Sequence, residues 1–137
     1  MRVESFVDTN VLVYAAAGKG PDEPKRRRAL KLLEAEEFGL SAQVLQEFYV
    51  TVTRKIAVPL TPLAATEWLE QLGAFPCLPI DAGLVKTAVI SSVRWGVSYW
   101  DAAILAAAEA LGARTIYSED LADGRLYGSV SVCDPFR

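Results

Sequence analysis

Four acidic residues, Asp8, Glu47, Asp101 and Asp120, occupy positions that are difficult to explain as ordinary surface charge. The chain of 137 residues contains no histidine, which excludes Ser-His-Asp hydrolysis and histidine-based zinc sites. Any catalysis must therefore use carboxylates. Two carboxylates ~5 Å apart repel each other by about 3 kcal/mol at an effective dielectric of about 20, and a bound divalent cation reverses that sign. Because hard oxygen ligands suit Mg²⁺ and Mn²⁺, the four acids predict a site for one of these metals.

Asp101 is the most informative of the four acids because it falls on the apolar stripe of a predicted helix, together with Ile104 and Leu105. Burying an unpaired carboxylate costs several kcal/mol, so its surroundings should supply a cation or a hydrogen-bond donor. The structural alternative is a capping box formed by Ser98 and Asp101 at the start of the helix. Both roles are compatible, since a capped helix end would hold the carboxylate rigidly for a metal.

Each of the other three acids also has an ordinary alternative. Glu47 has no basic residue three or four positions away, which removes a helical ion pair but leaves solvent exposure open. Asp8 could cap a helix that begins at Asn10. Asp120 could form a turn, and Asp123 is a rival for its place in the site. The prediction therefore rests on the joint pattern.

Composition predicts a single domain that covers residues 1–137. A hydrophobic content of 52% suits one buried core, and the chain is too short for two domains. No apolar run approaches the roughly 18 to 20 residues that span a bilayer, and no leader-like segment precedes the first strand. We therefore expect a cytoplasmic protein without membrane contact.

Basic residues are clustered although the net charge of -3 gives no overall attraction for nucleic acid. A dense basic segment runs over residues 25–31, and a smaller pair lies at the end of the predicted helix that carries Glu47. These clusters could hold phosphates beside an acidic metal pocket, and a solvated helix face is the alternative. The candidate phosphate contacts are Arg26, Arg27, Arg28, Arg54 and Lys55.

Short predicted strands alternate with helices, which is typical of a mostly parallel sheet with helices on both faces. The strands are predicted at 2–7, 77–80, 114–117 and 129–133. A short helical turn is predicted after Asn10, and helices at about 24–38, 41–55, 61–73, 81–95 and 99–111. Gly39 is predicted to stop the helix at 24–38. Ligands bind beyond the carboxyl ends of parallel strands, and Asp8 and Asp120 lie at or just past two such ends. We therefore expect these two acids to converge on one crevice.

Four acidic motifs, in order along nearly the whole chain, resemble those of PIN domains and in particular the toxin subunits of VapBC toxin-antitoxin pairs. The motifs are VDTNVL at 7–12, LQEF at 45–48, YWDAAI at 99–104 and SEDL at 118–121. The ending DPF at 134–136 is similar to the Asn-Pro-Phe ending of such proteins, with Asp134 in place of Asn.

The resemblance implies a three-layer α/β/α sandwich around a five-stranded, mostly parallel sheet, and an endoribonuclease activity that depends on Mg²⁺ or Mn²⁺. It places the metal ligands at the four acids already named. It also assigns supporting or phosphate-contacting roles to Thr9, Asn10 and Ser118.

The resemblance further implies an RNA substrate, to which the candidate basic residues would bind, and two protein partners. One partner is a small VapB-like antitoxin whose arginine reaches into the acidic pocket. The other is a second copy of the chain in a homodimer. Trp68, Trp95 and Trp100 offer apolar surface for such a dimer, although core packing is their alternative role.

The hypothesis is phosphodiester hydrolysis by a metal-activated water, with Asp8 and Asp101 binding the first metal. Glu47 and Asp120 would bind a second metal, hold its waters or orient the nucleophile. One alternative is a metal-dependent DNA nuclease of the flap-endonuclease type, but the chain has no room for the extra helices of those enzymes. Another is a non-catalytic RNA- or protein-binding module that retains the PIN fold.

Overall fold

A mostly parallel sheet forms the centre of the protein, whose computed structural model describes residues 2–137. Within this range there are six strands, namely β1 (Ser5–Val7), β2 (Phe38–Ser41), β3 (Cys77–Leu78), β4 (Thr115–Tyr117), β5 (Leu126–Tyr127) and β6 (Val130–Cys133). Their order across the sheet is β3-β2-β1-β4-β6-β5. All neighbouring pairs are parallel except β5 and β6, which are antiparallel. The predicted parallel sheet is confirmed.

The predicted number of five strands is wrong, because a hairpin adds β5 at the edge of the sheet. The hairpin turns at Gly128, whose φ of 58° is a conformation that glycine adopts without strain. With only two residues, β5 is too short to show the alternation of apolar and polar residues from which strands are predicted.

The helices form two groups on opposite faces of the sheet. Over the described part of the chain they are α1 (Thr9–Ala17), α2 (Glu23–Ala35), α3 (Ala42–Val50), α4 (Pro62–Leu72), α5 (Ala82–Trp95) and α6 (Tyr99–Ala110). Helix α1 packs on α2 and α3, and α3 packs on α4, whereas α5 packs on α6. The crossovers from β1 to β3 run in one direction across the sheet and the crossover from β3 to β4 runs back, so right-handed connections place the two groups on opposite faces. The predicted three-layer sandwich is confirmed.

Two helix predictions need correction. Helix α2 ends at Ala35, and the residues assigned to its last turn begin β2, which is buried along its whole length. Gly39 is not a helix stop, since a Cβ there would lie 2.9 Å from Leu111 Cδ1 and 3.1 Å from Val3 Cγ1. A residue without a side chain is required at position 39, because the strand passes close to Leu111 and Val3. Helix α1 is a full helix of nine residues that starts at Thr9, and not a short turn after Asn10.

The core surrounds the sheet, with the fully buried Phe6 and Ile116 on neighbouring strands. Helix α6 is buried from Ala102 to Ala108. Its small side chains let it lie close to the sheet, so its first turn is fixed relative to the strand ends. From Arg2 to Arg137, no helix is long and apolar enough to cross a membrane.

Candidate active site

A cleft of about 260 Å³ opens at the carboxyl ends of β1 and β4. Asp8 directly follows β1, and Ser118 directly follows β4. All four predicted acids border this cleft, so the structure brings them together. The described residues that line it are Asp8, Thr9, Asn10, Val13, Glu47, Thr51, Trp100, Asp101, Ile104 and Asp120.

Asp8 is the N-cap of α1 and is only 8% exposed. One carboxylate oxygen accepts a hydrogen bond from the Thr9 backbone N–H at 2.7 Å, and the other accepts one from the Ser118 hydroxyl at 2.7 Å. Burial, with smaller contributions from the nearby charges of Asp120 and Glu47, raises the pKa of Asp8 from 3.8 to about 6 despite these bonds. The capping alternative therefore applies, but it leaves a destabilised carboxylate that a cation would stabilise.

Asn10 links the loop after β4 to Asp8. Its Nδ2 lies 3.1 Å from Asp120 Oδ2, 3.3 Å from Ser118 Oγ and 3.4 Å from Asp8 Oδ2. Its Oδ1 accepts a bond from the Glu119 backbone N–H at 3.1 Å. A single amide thus fixes the distance between the two strand-end acids.

Ser118 is completely buried and organises the turn that carries Asp120. Its hydroxyl oxygen accepts bonds from the backbone N–H groups of Asp120 at 3.2 Å and Leu121 at 3.3 Å, while the hydroxyl donates to Asp8. The three residues predicted to support the acids, Thr9, Asn10 and Ser118, all contact acidic groups of the cleft.

Glu47 projects from α3 and is half-buried at the cleft. The Thr9 hydroxyl donates to Glu47 Oε1 at 3.2 Å. Burial raises the pKa of Glu47, and the charge of Asp101 adds to the rise; hydrogen bonds from Thr9 and Gln43 and the charge of Lys55 oppose it. The position of Lys55 near Glu47 was not predicted, because it depends on a wide helical turn over Thr51–Lys55 that continues α3.

Asp101 lies in the first turn of α6, where its backbone N–H donates to the Ser98 hydroxyl at 3.1 Å. Only this half of the predicted capping box forms. Residues 2–137 supply no hydrogen bond to the carboxylate itself, which borders the cleft. The backbone of Asp101 is thus fixed at the start of α6, whereas its carboxylate is only partly buried, lacks among these residues the hydrogen-bond donor expected from the sequence, and remains available to a ligand.

The structure separates Asp120 from its rival Asp123. Asp120 lines the cleft, whereas Asp123 accepts a bond from the Asp134 backbone N–H at 2.8 Å and lies 3.9 Å from the Arg137 guanidinium. The Asp134 carboxylate in turn accepts a hydrogen bond from the Phe136 backbone N–H at 2.9 Å. Asp134 therefore stabilises the terminal turn. The geometry therefore favours Asp120 as the fourth acid of the site.

The donor set of the cleft consists of oxygen ligands, and none of the described residues that line it is Lys or Arg. In the same part of the chain, no group of three or more His, Cys, Asp or Glu side chains is arranged so that it could hold a metal ion. Mg²⁺ is usually bound by one or two carboxylates together with water and substrate phosphate, so an open arrangement suits it better than a cage would. The residues present fit a hydrated Mg²⁺ or Mn²⁺.

Glu119 and Lys25 support the site and were not identified from the sequence. Glu119 accepts bonds from the Tyr14 hydroxyl at 2.7 Å and from Lys25 Nζ at 2.5 Å, which ties α1 and α2 to the loop of Asp120. Burial raises the pKa of Glu119, but the bonds from Lys25 and Tyr14 outweigh it and bring the pKa below its ordinary value. Lys25 and Glu119 are 94 positions apart, so no local pattern could indicate the pair.

Glu119→Ala is expected to lower the free energy of unfolding by about 1 kcal/mol, because the pair with Lys25 is partly exposed. It should also slow RNA cleavage by roughly 10-fold, since the loop that positions Asp120 loses its anchor. Urea unfolding and initial cleavage rates measure the two effects. Glu23→Ala is the matched control, because Glu23 forms a surface pair with Arg26. Equal cleavage rates for the two variants would contradict the positioning role.

The predicted phosphate contacts are not brought into the cleft itself. Arg26 pairs with Glu23 at 3.1 Å, Arg28 donates to the Pro135 carbonyl at 3.1 Å, and Arg27 is exposed on α2. Lys55 is closest to the acids, since it shares a shallow depression with Glu47. The exposed Arg54 precedes it on the same turn.

The three tryptophans differ in their surroundings. Trp68 packs near Phe48 with ring centroids 6.3 Å apart, and Trp95 packs edge-on against Tyr127 at 5.5 Å. Both pack against the core, which was the alternative to a role in dimerisation. Trp100 is 64% exposed and stands at the cleft.

The sequence matches the PIN domain family over residues 5–123, a range that includes all four acids. The chain belongs to the PIN domain family. The predicted family is therefore confirmed. No curated protein matches the sequence.

Solved structures similar to this PIN domain include toxins of toxin-antitoxin pairs. The VapC20 sarcin-ricin loop cleaving toxin of Mycobacterium tuberculosis has 22% identity and a TM-score of 0.67, over 85% of this chain and 89% of that one. A toxin-antitoxin complex from Klebsiella pneumoniae has 20% identity and a TM-score of 0.71, over 96% and 97%. A DNA-bound VapBC from Salmonella typhimurium has 17% identity and a TM-score of 0.65, over 97% and 98%. At these identities the similarity shows a shared fold.

Proposed function

We propose that this PIN domain is an endoribonuclease that depends on Mg²⁺ or Mn²⁺ and acts as the toxin of a toxin-antitoxin pair. The observation that carries the proposal is the cleft at the ends of β1 and β4, where Asp8, Glu47, Asp101 and Asp120 meet without a lysine or arginine among the described lining residues. The toxins among the similar solved structures support the biological role.

In the proposed mechanism, Asp8 and Asp101 would hold a metal ion, and Asp120 would hold a second ion or the waters of the first. Such an ion would lower the pKa of a water molecule and neutralise charge on the scissile phosphate. Glu47 orients the attacking water and accepts its proton, a task that suits a half-buried carboxylate with a raised pKa. The Thr9 hydroxyl holds Glu47 in place for this role.

Asn10 and Ser118 keep Asp8 and Asp120 at a fixed separation before any ligand arrives. Such preorganisation matters because acids that had to be assembled on binding would lose part of the binding energy to ordering. The network holds the backbone of the loop as well as its side chains, since Ser118 and Asn10 also bond to the N–H groups of residues 119–121.

The experiment that tests the function is cleavage of a mixed cellular RNA pool by the purified chain with Mg²⁺, with Mn²⁺ and with EDTA. Cleavage is expected with either metal and not with EDTA, and Asp101→Asn should remove it. Asp81→Asn is the matched control, because Asp81 caps α5 through the Leu84 N–H and asparagine caps a helix equally well. No cleavage under any condition would favour a non-catalytic binding module, and cleavage of DNA alone would favour a DNA nuclease.

We also propose that the chain pairs with a VapB-like antitoxin and forms a homodimer, in the cytoplasm where its RNA substrate would lie. The similar complexes from Klebsiella pneumoniae and Salmonella typhimurium support the antitoxin. A cleft lined by four acids would accept an arginine of that partner in place of a metal. For the dimer, exposed apolar side chains on α5, including Val89, Ile90 and Val93, provide a surface that a second copy could cover.

The proposed RNA contacts are Arg26, Arg27, Arg28, Arg54 and Lys55, and the structure makes Lys55 the one to test first. Lys55→Gln is expected to weaken RNA binding at low salt and to reduce the slope of log K against log salt by about 1, since one phosphate contact is lost. Fluorescence anisotropy over a salt series measures both. Lys86→Gln on α5 is the control, because Lys86 is exposed and borders neither the cleft nor the depression beside Glu47. Identical slopes for the two variants would remove Lys55 from the RNA-binding surface.

A further inference from the structure

Trp100 is a large apolar side chain that the proposed chemistry does not use. It is 64% exposed, whereas the other two tryptophans pack against the core. Tryptophan rings are usually mostly buried, so a largely exposed ring suggests a binding role.

The place of Trp100 is the wall of the acidic cleft, one residue before Asp101. Its backbone is fixed, since it lies in the first turn of α6 and its carbonyl accepts a bond from the buried Gln43 side chain at 3.2 Å. Tyr99 meets the ring edge-on with centroids 5.0 Å apart, which restricts how the ring can turn. An aromatic face is thus held beside the carboxylates that would receive the phosphate.

We infer that Trp100 stacks on a nucleobase next to the scissile phosphate and thereby selects single-stranded RNA, an inference that rests on the proposed function. A phosphate held at the acids brings its neighbouring nucleotides to the cleft wall, and an aromatic side chain binds a splayed base of any identity through its π face. A base within a duplex cannot offer that face. Trp100 is therefore a positioning residue whose contact depends on an unpaired base.

Binding of RNA tests the inference separately from cleavage. A labelled single-stranded RNA oligonucleotide is titrated in Mg²⁺ against the Asp8→Asn variant, which is expected not to cleave it, and against the same variant with Trp100→Ala or Trp100→Phe. Trp100→Ala is expected to weaken binding by about 5- to 150-fold, the range for loss of one stacked base. Trp100→Phe should retain most of the affinity, because it keeps an aromatic face. Leu63→Ala on α4 is the control for an exposed apolar side chain outside the cleft, and should leave affinity unchanged.

A series of oligonucleotides with one abasic position each locates the contact. With Trp100 present, one abasic position next to the cleavage site should weaken binding much more than the others. With Trp100→Ala that position should lose its effect, since the two changes remove the same contact.

Equal affinities for Trp100 and Trp100→Ala, or an abasic profile that the substitution does not alter, would overturn the inference. If Trp100→Ala weakened binding of a protein partner and not of RNA, the ring would belong to a protein interface, and the inference would also be wrong. The proposed function would fail separately, by absence of cleavage in the otherwise unchanged chain.

Discussion

Replacing Asp8 with asparagine is expected to raise the free energy of unfolding of the metal-free protein by up to roughly 3 kcal/mol at pH 7, and to abolish RNA cleavage. The gain follows from the pKa of Asp8, since a rise from 3.8 to about 6 corresponds to that free energy when the carboxylate is charged in both states. Asparagine removes the buried charge and still offers an oxygen to the Thr9 N–H, but its NH₂ group cannot accept the bond from the Ser118 hydroxyl, so the gain is smaller than this upper bound. The loss of activity follows because Asp8 is a proposed metal ligand.

The pH dependence gives the sign of this effect. Between pH ~4 and ~6 the folded protein binds a proton at Asp8 that the unfolded chain has released, so the stability contributed by this group falls as the pH rises through that window. Above pH ~6 the Asp8 carboxylate is charged in both the folded and the unfolded protein, and its stabilising contribution has been lost completely. Asp8→Asn lacks this decline, so the two proteins should converge towards pH 4 and diverge towards pH 7.

Urea unfolding in EDTA from pH 4.5 to 7.5 measures the difference. Asp123→Asn is the matched control, because the Asp123 carboxylate accepts a bond from the Asp134 backbone N–H and does not line the cleft. An Asp8→Asn protein that is less stable than the unchanged chain at pH 7 would contradict the destabilised carboxylate. Saturating Mg²⁺ should narrow the gap, since it stabilises only the chain that retains Asp8.

Replacing Asp120 with asparagine is expected to slow RNA cleavage by roughly 100-fold or more, whereas Asp123→Asn should leave the rate within about 2-fold. Loss of one preorganised charged group in an active site typically has an effect of the larger size. Asp120 borders the cleft and is held by Asn10 at 3.1 Å, while Asp123 stabilises the chain terminus. Both changes keep the size of the side chain, so the comparison isolates charge.

Initial rates on one RNA substrate at saturating Mg²⁺ distinguish the two acids. Circular dichroism of both variants checks that they remain folded. The reverse ranking, with Asp123→Asn slow and Asp120→Asn normal, would show that the acid of the site is Asp123 and that the loop rearranges on binding.

Local and periodic features of the site were predictable from the sequence. Asp8 and the loop of Asp120 follow two strands that prove to be neighbours, and parallel strands bring their carboxyl ends to one edge. Asp101 borders the cleft together with Ile104, which lies three residues further along α6, as the helical spacing indicates. The positions of these side chains depend only on the helix or strand that carries them and on the neighbouring strand.

Features that depend on distant contacts were not predictable. Asp120 borders the cleft and Asp123 does not, because Asp123 is held by its contacts with Asp134 and Arg137. The bond from Lys25 to Glu119 joins helix α2 to the loop after β4, and no sequence pattern connects these two segments.

Strand β2 was missed for a local reason. Its four residues, FGLS, are buried on both faces and follow directly on a helical apolar pattern, so no alternation marks the change of structure. Gly39 added to the error, because glycine after a helical pattern also predicts a helix end.

The chemistry of the RNA product ends tests the central proposal most directly, namely that water attacks the phosphate at the cleft of Asp8, Glu47, Asp101 and Asp120. Mapping the ends after cleavage in Mg²⁺ should give a 5′-phosphate on one fragment and a 3′-hydroxyl on the other. Fragments that end in a 2′,3′-cyclic phosphate would show attack by the ribose hydroxyl and would contradict the proposed mechanism.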